Sequence, residues 1–112
     1  MRTIVAMCLA AWLAACSVWP AGKDPQGLAL SQAADAVLAA LNTCIRDQGK
    51  PPETLQALVP RYLSALPAQP EFNYSARRGT LVYNYTPTFP SGGTSACEAR
   101  FGETAFRCNW YR

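Results

Sequence analysis

The sequence predicts an α+β domain in which one N-terminal helix packs on an antiparallel sheet of two hairpins. Three observations predict it. Residues 30–52, LSQAADAVLAALNTCIRDQGKPP, repeat apolar side chains at spacings of three and four. FNYSARRGTLVYNY, residues 72–85, alternates apolar and polar residues about a glycine. ACEARFGETAFRCNWY, residues 96–111, does the same. The chain has 112 residues, which makes one domain the default.

The helix is expected over residues 31–48, capped by Ser31, whose hydroxyl can accept from an unpaired N–H of the first turn. Ala34, Val37, Leu38, Leu41, Cys44 and Ile45 form one apolar stripe. Gly49 can close the helix in the left-handed conformation, and Pro51 prevents its continuation. Eighteen residues span roughly 27 Å.

Residues 51–70, PPETLQALVPRYLSALPAQP, follow. Pro60 lacks an N–H and clashes one turn back, so no single helix runs through it. A short helix near 53–58 and a turn near 61–64 are expected, with the leucines sealing one end of the core.

In the first hairpin the turn is placed at Arg78-Gly79, pairing 77 with 80, 76 with 81, 74 with 83 and 72 with 85. Phe72, Tyr74, Ala76, Leu81, Tyr83 and Tyr85 then share a face; a slip of one residue would mix the faces. In the second hairpin a type II′ turn at Gly102-Glu103 puts Cys97, Ala99, Phe101, Phe106, Cys108 and Trp110 on one face. That register sets Cys97 opposite Cys108 and Glu98 opposite Arg107.

Composition narrows the function. There is no histidine, which removes Ser-His-Asp triads, Cys-His pairs and histidine metal sites. No cofactor or metal is expected. Ten Lys/Arg stand against seven Asp/Glu, and no basic run exceeds Arg77-Arg78, which argues against nucleic acid as a partner.

The first 15 residues, MRTIVAMCLAAWLAA, combine a cationic Arg2 with an apolar run from Thr3 to Leu13. The run is shorter than the roughly 20 residues a membrane span needs. Small residues close it, as in an export signal. Leu13-Ala14-Ala15-Cys16 resembles the lipobox of bacterial lipoproteins. That resemblance implies a diacylglyceryl group on the Cys16 sulfur, cleavage before Cys16 and acylation of the new N-terminus. Several acyl chains anchor stably where one does not. Ser17, where lipoproteins kept at the inner membrane often carry Asp, implies the outer membrane, facing the periplasm. An ordinary secretory leader with Cys16 free for a disulfide is the alternative. The expected organisation is a signal peptide over 1–15, lipidated cysteine and tether over 16–29, and a domain over 30–112. Residues 17–27, SVWPAGKDPQG, read as the tether.

With Cys8 in the leader and Cys16 lipidated, Cys44, Cys97 and Cys108 remain, an odd number for an oxidising compartment. The register favours Cys97–Cys108, taken as a hydrogen-bonded pair with a Cα spacing of roughly 5.5 Å. Cys44 then lies reduced on the helix's apolar stripe. Cys44 bonded to Cys97 or Cys108 is the rival. Glu53, Glu71, Glu98 and Glu103 are scattered and read as solvated surface. Phe72, Tyr74, Tyr83 and Tyr85 can line a ligand surface, or form the sheet face that packs on the helix; the second reading is the commoner.

Residues 49–75 carry a further resemblance. Pro52, Thr54, Leu55, Leu58, Val59, Pro60, Tyr62, Leu63, Leu66 and Pro67 resemble the stretch of type II secretion pseudopilins and type IV pilin-like proteins that leads from helix into sheet. A pilin C-terminal disulfide loop would correspond to Cys97–Cys108. The pilin leader and long filament helix are replaced by the lipobox and tether. Gln69-Pro70-Glu71-Phe72 stands where Asp-Pro-Trp-Gly is expected. No aspartate follows Asp47, so a pseudopilin calcium site is not implied. Together the resemblances imply a pilin-like head on a lipid anchor: a non-enzymatic envelope protein with a protein partner, accessory to secretion or pilus machinery. The competing class is a small periplasmic ligand binder or carboxylate-dependent enzyme.

Overall fold

An Asp-Pro pair starts the helix. In a computed structural model of the chain, which describes residues 20–87 and 93–111, α1 runs Pro25–Gln48. Asp24 is its N-cap, with extended backbone and a side chain that accepts from the Gly27 N–H at 3.2 Å. Pro25 occupies the first helical position, where no N–H is needed and φ is already helical. The helix therefore begins six residues before Ser31, which sits within it, and residues 25–29 are helix rather than tether. Pro and Gly in SVWPAGKDPQG read as loop chemistry, but the proline serves the first turn and Gly27 fits under Tyr85. Gly49 closes the far end at φ 74°, donating to the Ile45 carbonyl. The lipobox and Cys16 lie outside the described residues.

The expected stripe is the inner face. Ala34, Val37, Leu38, Leu41 and Cys44 are buried, Ala40 joins them, and Ile45 packs at the margin. By length and composition α1 could cross a membrane. In the fold its apolar stripe is covered by the sheet, as in a core helix.

A 3-10 turn, Leu55–Leu58, follows, then an irregular run to residue 71. Leu55 and Leu58 are buried under the second half of α1, with Tyr62, Leu63 and Leu66 packed around them. Burying each such side chain contributes roughly 1.5–3 kcal/mol. The Val59–Pro60 and Gln69–Pro70 peptide bonds are cis.

Four strands make one antiparallel sheet in the order β1-β2-β3-β4: β1 Phe72–Ser75, β2 Thr80–Tyr85, β3 Thr94–Arg100 and β4 Arg107–Tyr111. The first hairpin pairs two residues away from the expected register. Phe72 faces Tyr83, Tyr74 faces Leu81 and Ser75 faces Thr80. Its loop is Ala76-Arg77-Arg78-Gly79, closed by Gly79 N–H to Ser75 O at 2.9 Å and Arg78 N–H to Ser75 Oγ at 3.1 Å. Only Gly79 has positive φ, 71°. A two-residue type I′ turn at Arg78-Gly79 would force Arg78 there as well, where a Cβ is disfavoured. A shift of two preserves the faces, so Phe72, Tyr74, Leu81, Tyr83 and Tyr85 remain together. Ala76 leaves the strand for the loop.

The second hairpin keeps its register: Cys97 pairs with Cys108 and Glu98 with Arg107. Its turn differs. Glu103 N–H donates to Arg100 O at 3.0 Å, so Phe101 and Gly102 are central, and β4 begins only at Arg107. Asn42 on α1 holds this turn with both ends of its amide, donating to Glu103 O and accepting from Gly102 N–H, each at 2.9 Å.

The core has two parts. Around the second half of α1 lie Val37, Leu38, Leu41, Leu55, Leu58, Leu81 and Ala99. Nearer its start lie Ala34, Tyr83, Tyr85 and Cys97, with Phe72, Phe106 and Cys108 at the edge. Phe72 and Phe106 meet the Tyr83 ring edge-on, with centroids 5.9 and 5.0 Å away.

Candidate functional site

Cys97 and Cys108 form a disulfide bond, and Cys44 is buried and free. The Cα atoms of the bridge are 4.0 Å apart. That is the spacing of a non-hydrogen-bonded pair, the narrower kind, and not of the wider hydrogen-bonded pair expected. At the narrow site the side chains approach more closely.

The start of α1 is fastened beside this bridge. Gly22, with φ 78°, lies so close that a Cβ there would stand 2.8 Å from Cys108 Sγ. Two residues on, Asp24 is only 2% exposed. Its carboxylate accepts from the Tyr85 hydroxyl and from the Gly27 N–H. A Cβ on Gly27 would collide with Tyr85 Oη. Burial, then the hydrogen bond to Asp24, then that residue's charge push Tyr85 up to about 12. The tyrosine thus stays a neutral donor to a buried carboxylate, which offsets the cost of removing that charge from water.

Tyr83 is also pushed up to about 12, by burial first and by the charge of Asp35 second. Its hydroxyl has no hydrogen-bond partner among the described residues. It borders a small cavity of about 130 Å³ with Lys23, Ser31, Asp35 and Phe106.

The carboxylates do not converge at one centre. Glu98 is exposed, and Arg107 pairs at 3.4 Å with Glu103 rather than with Glu98, its strand partner. Glu103 Oε1 also accepts from the Arg100 N–H at 2.6 Å. Glu53 and Glu71 are exposed, and both border an open groove of about 560 Å³ beside β1, with Leu66, Pro70 and Phe72. Among the described residues no three His, Cys, Asp or Glu side chains are grouped to hold a metal ion. Of the four aromatic candidates, Tyr83 and Tyr85 are core residues, Phe72 packs on Tyr83, and Tyr74 stacks on Phe101 while donating to Pro52 O. They form the packing face, and Phe72 and Tyr74 also border the groove beside β1. Lipobox residues Leu13, Ala14, Ala15 and Cys16 lie outside the described residues.

Comparison with protein-family models, with curated proteins and with solved structures finds no match for the chain. The lipobox and pilin-like resemblances stand on the residues that carry them.

Two features escaped the sequence. Asp24 with Tyr85 is one; Asp-Pro ahead of an apolar run was its signal. The exposure of Trp110 is the other. Alternation gives its face correctly, but β4 is an edge strand, and Trp110 remains 38% exposed.

Proposed function

We propose that the chain is a lipid-anchored protein of the bacterial cell envelope, held at the outer membrane and facing the periplasm. Its α+β head is a non-enzymatic interaction module with a protein partner, in the class of accessory proteins of secretion or pilus machinery. The observation that carries this reading is Leu13-Ala14-Ala15-Cys16 placed at the close of the apolar run from Thr3 to Leu13 and only a short stretch ahead of Asp24, the N-cap of α1. The bridge between Cys97 and Cys108 suits an oxidising compartment. Residues 49–75, with their pilin-like motif, supply the class of partner.

Cys16→Ser tests the anchor. The variant should remain as an uncleaved or soluble product without bound fatty acid. A Cys16→Ser protein that still fractionates with membranes at the mature mass would contradict the reading. Affinity purification of the lipidated protein from its own envelope would identify the partner.

The groove beside β1 supports a second reading, a small ligand binder or carboxylate-dependent enzyme, because Glu53 and Glu71 both border it. That reading requires Glu53→Gln with Glu71→Gln to abolish ligand binding or turnover. The first requires the pair to leave anchoring unchanged.

A further inference from the structure

Among the described residues, the large hydrophobic side chains left exposed are Leu28, Trp110 and Tyr111, at 46%, 38% and 59%. They share one end of the domain. Tyr85, Ser95 and Trp110 are paired in a single row across β2, β3 and β4. The Tyr85 hydroxyl is bonded to Asp24, the N-cap of α1. Trp110 is therefore level with the start of the helix, Tyr111 lies one residue further out, and Leu28 is in the helix's first turn. The opposite end is charged: Arg46, Asp47, Lys50, Arg77 and Arg78 are exposed around the close of α1 and the first hairpin loop.

We propose that the end bearing Leu28, Trp110 and Tyr111 rests on the lipid headgroup layer of the membrane that holds Cys16; this rests on the anchoring reading above. Chain length selects the occupant. Three residues separate Cys16 from Pro20, and the four Cα steps between them reach at most about 14 Å fully extended. Gly22 packs on Cys108, and Cys108 lies only two strand residues, about 7 Å, from Trp110. A lipid on Cys16 thus brings the bilayer surface to the end of the domain where the exposed aromatic rings are. Tryptophan and tyrosine have apolar bodies and polar tips, and they favour the boundary between hydrocarbon and water. Lys23, exposed beside Asp24, presents a cation to anionic headgroups there. The head is thereby oriented, with α1 leading away from the membrane and the charged end presented to the periplasm.

The test uses the mature lipidated protein carrying Trp19→Phe. Trp12 departs with the leader, so Trp110 is the single emitter. Reconstitution is into phosphatidylethanolamine–phosphatidylglycerol vesicles with and without brominated acyl chains. Flotation reports the anchor, and quenching reports the contact. Trp110 should shift to the blue and be quenched several-fold more than a tryptophan at the far end, introduced as Arg78→Trp with Trp19→Phe and Trp110→Phe. Flotation with an unquenched Trp110 would overturn the contact and leave the anchor standing, as would equal quenching at both ends. A blue shift without quenching would mean that protein, either a partner or residues 17–19, covers Trp110, and would also overturn it. Failure to float would overturn both the anchor and the contact.

Discussion

The two ends of α1 are fastened by different chemistry. At the far end Leu38, Leu41 and Cys44 lie among Leu55, Leu58, Leu81 and Ala99, a contact of aliphatic surfaces with graded energy. At the near end the first turn, Pro-Gln-Gly-Leu, turns only a glycine inward. It has little apolar area to bury. A capping carboxylate, one tyrosine hydroxyl and a chain pressed against a disulfide hold it instead. Aliphatic packing tolerates substitution of similar volume; a buried carboxylate with a fixed donor does not. The near end should therefore be the end most sensitive to small chemical changes.

The largest loss should still come from the far end, because truncating a fully buried leucine there leaves a large cavity. Leu41→Ala should cost about 2–5 kcal/mol, read as a lowered thermal midpoint. Leu41→Met should recover most of it. Replacing Cys97 and Cys108 together by Ala should cost about 2–4 kcal/mol, and peptide mapping without reductant should find these two cysteines linked. In the same map Cys44 should be alkylated only after unfolding. A peptide joining Cys44 to either partner would remove the basis for the contrast, because the helix would then be stapled directly to the sheet.

Asp24→Ala should cost about 2 kcal/mol, combining a lost cap with an orphaned Tyr85 hydroxyl. Tyr85→Phe leaves the Asp24 charge buried with one donor fewer and should cost a similar amount. The double variant should cost less than the sum of the two, since each single change strands the other partner. Strict additivity would mean that the pair does not act as a unit.

The smallest effect at neutral pH belongs to Tyr83→Phe. The hydroxyl has no protein partner among the described residues, so its removal should be neutral or slightly stabilising. Its signature is alkaline. Tyr83 and Tyr85 hold their protons to about 12 in the fold, against 10.0 as the ordinary value. Above pH 10 the unfolded chain releases these protons and the folded chain does not, so stability falls as pH rises from 10 towards 12. Below pH 10 their contribution is complete. Tyr83→Phe should make that decline shallower in denaturant titrations at successive pH values.

The difference between the ends also decided what the sequence could reveal. Period-3.6 burial made the far half of α1 readable, down to Cys44 on the inner face. The second hairpin was readable because cysteines, an acid–base pair and apolar alternation all demanded one register. The first had alternation alone. Ala76 looked like a strand residue, and Arg78-Gly79 looked like a turn, so the pairing fell two residues away while the faces stayed right. The near end carries a local signal for its cap, Asp24-Pro25, but its second fastening joins residues 61 apart in sequence, Asp24 and Tyr85, which no local pattern encodes. The uncovered state of Trp110 is likewise a property of neighbours. Alternation says which face a residue is on, not whether anything lies over it.

Whether the near end of α1 is locked into the fold is most directly tested by native-state amide hydrogen exchange on the mature protein. Leu28 donates its N–H to Asp24 O at 2.9 Å, and the helix is continuous from Pro25. The amides of residues 28–31 should therefore be protected on the scale of the second core, and Asp24→Ala should expose them while leaving residues 38–44 protected. Free exchange of 28–31 in the unaltered protein, with protection beginning only after Ser31, would contradict the account: those residues would be tether, and the Asp24–Tyr85 lock would not hold in solution.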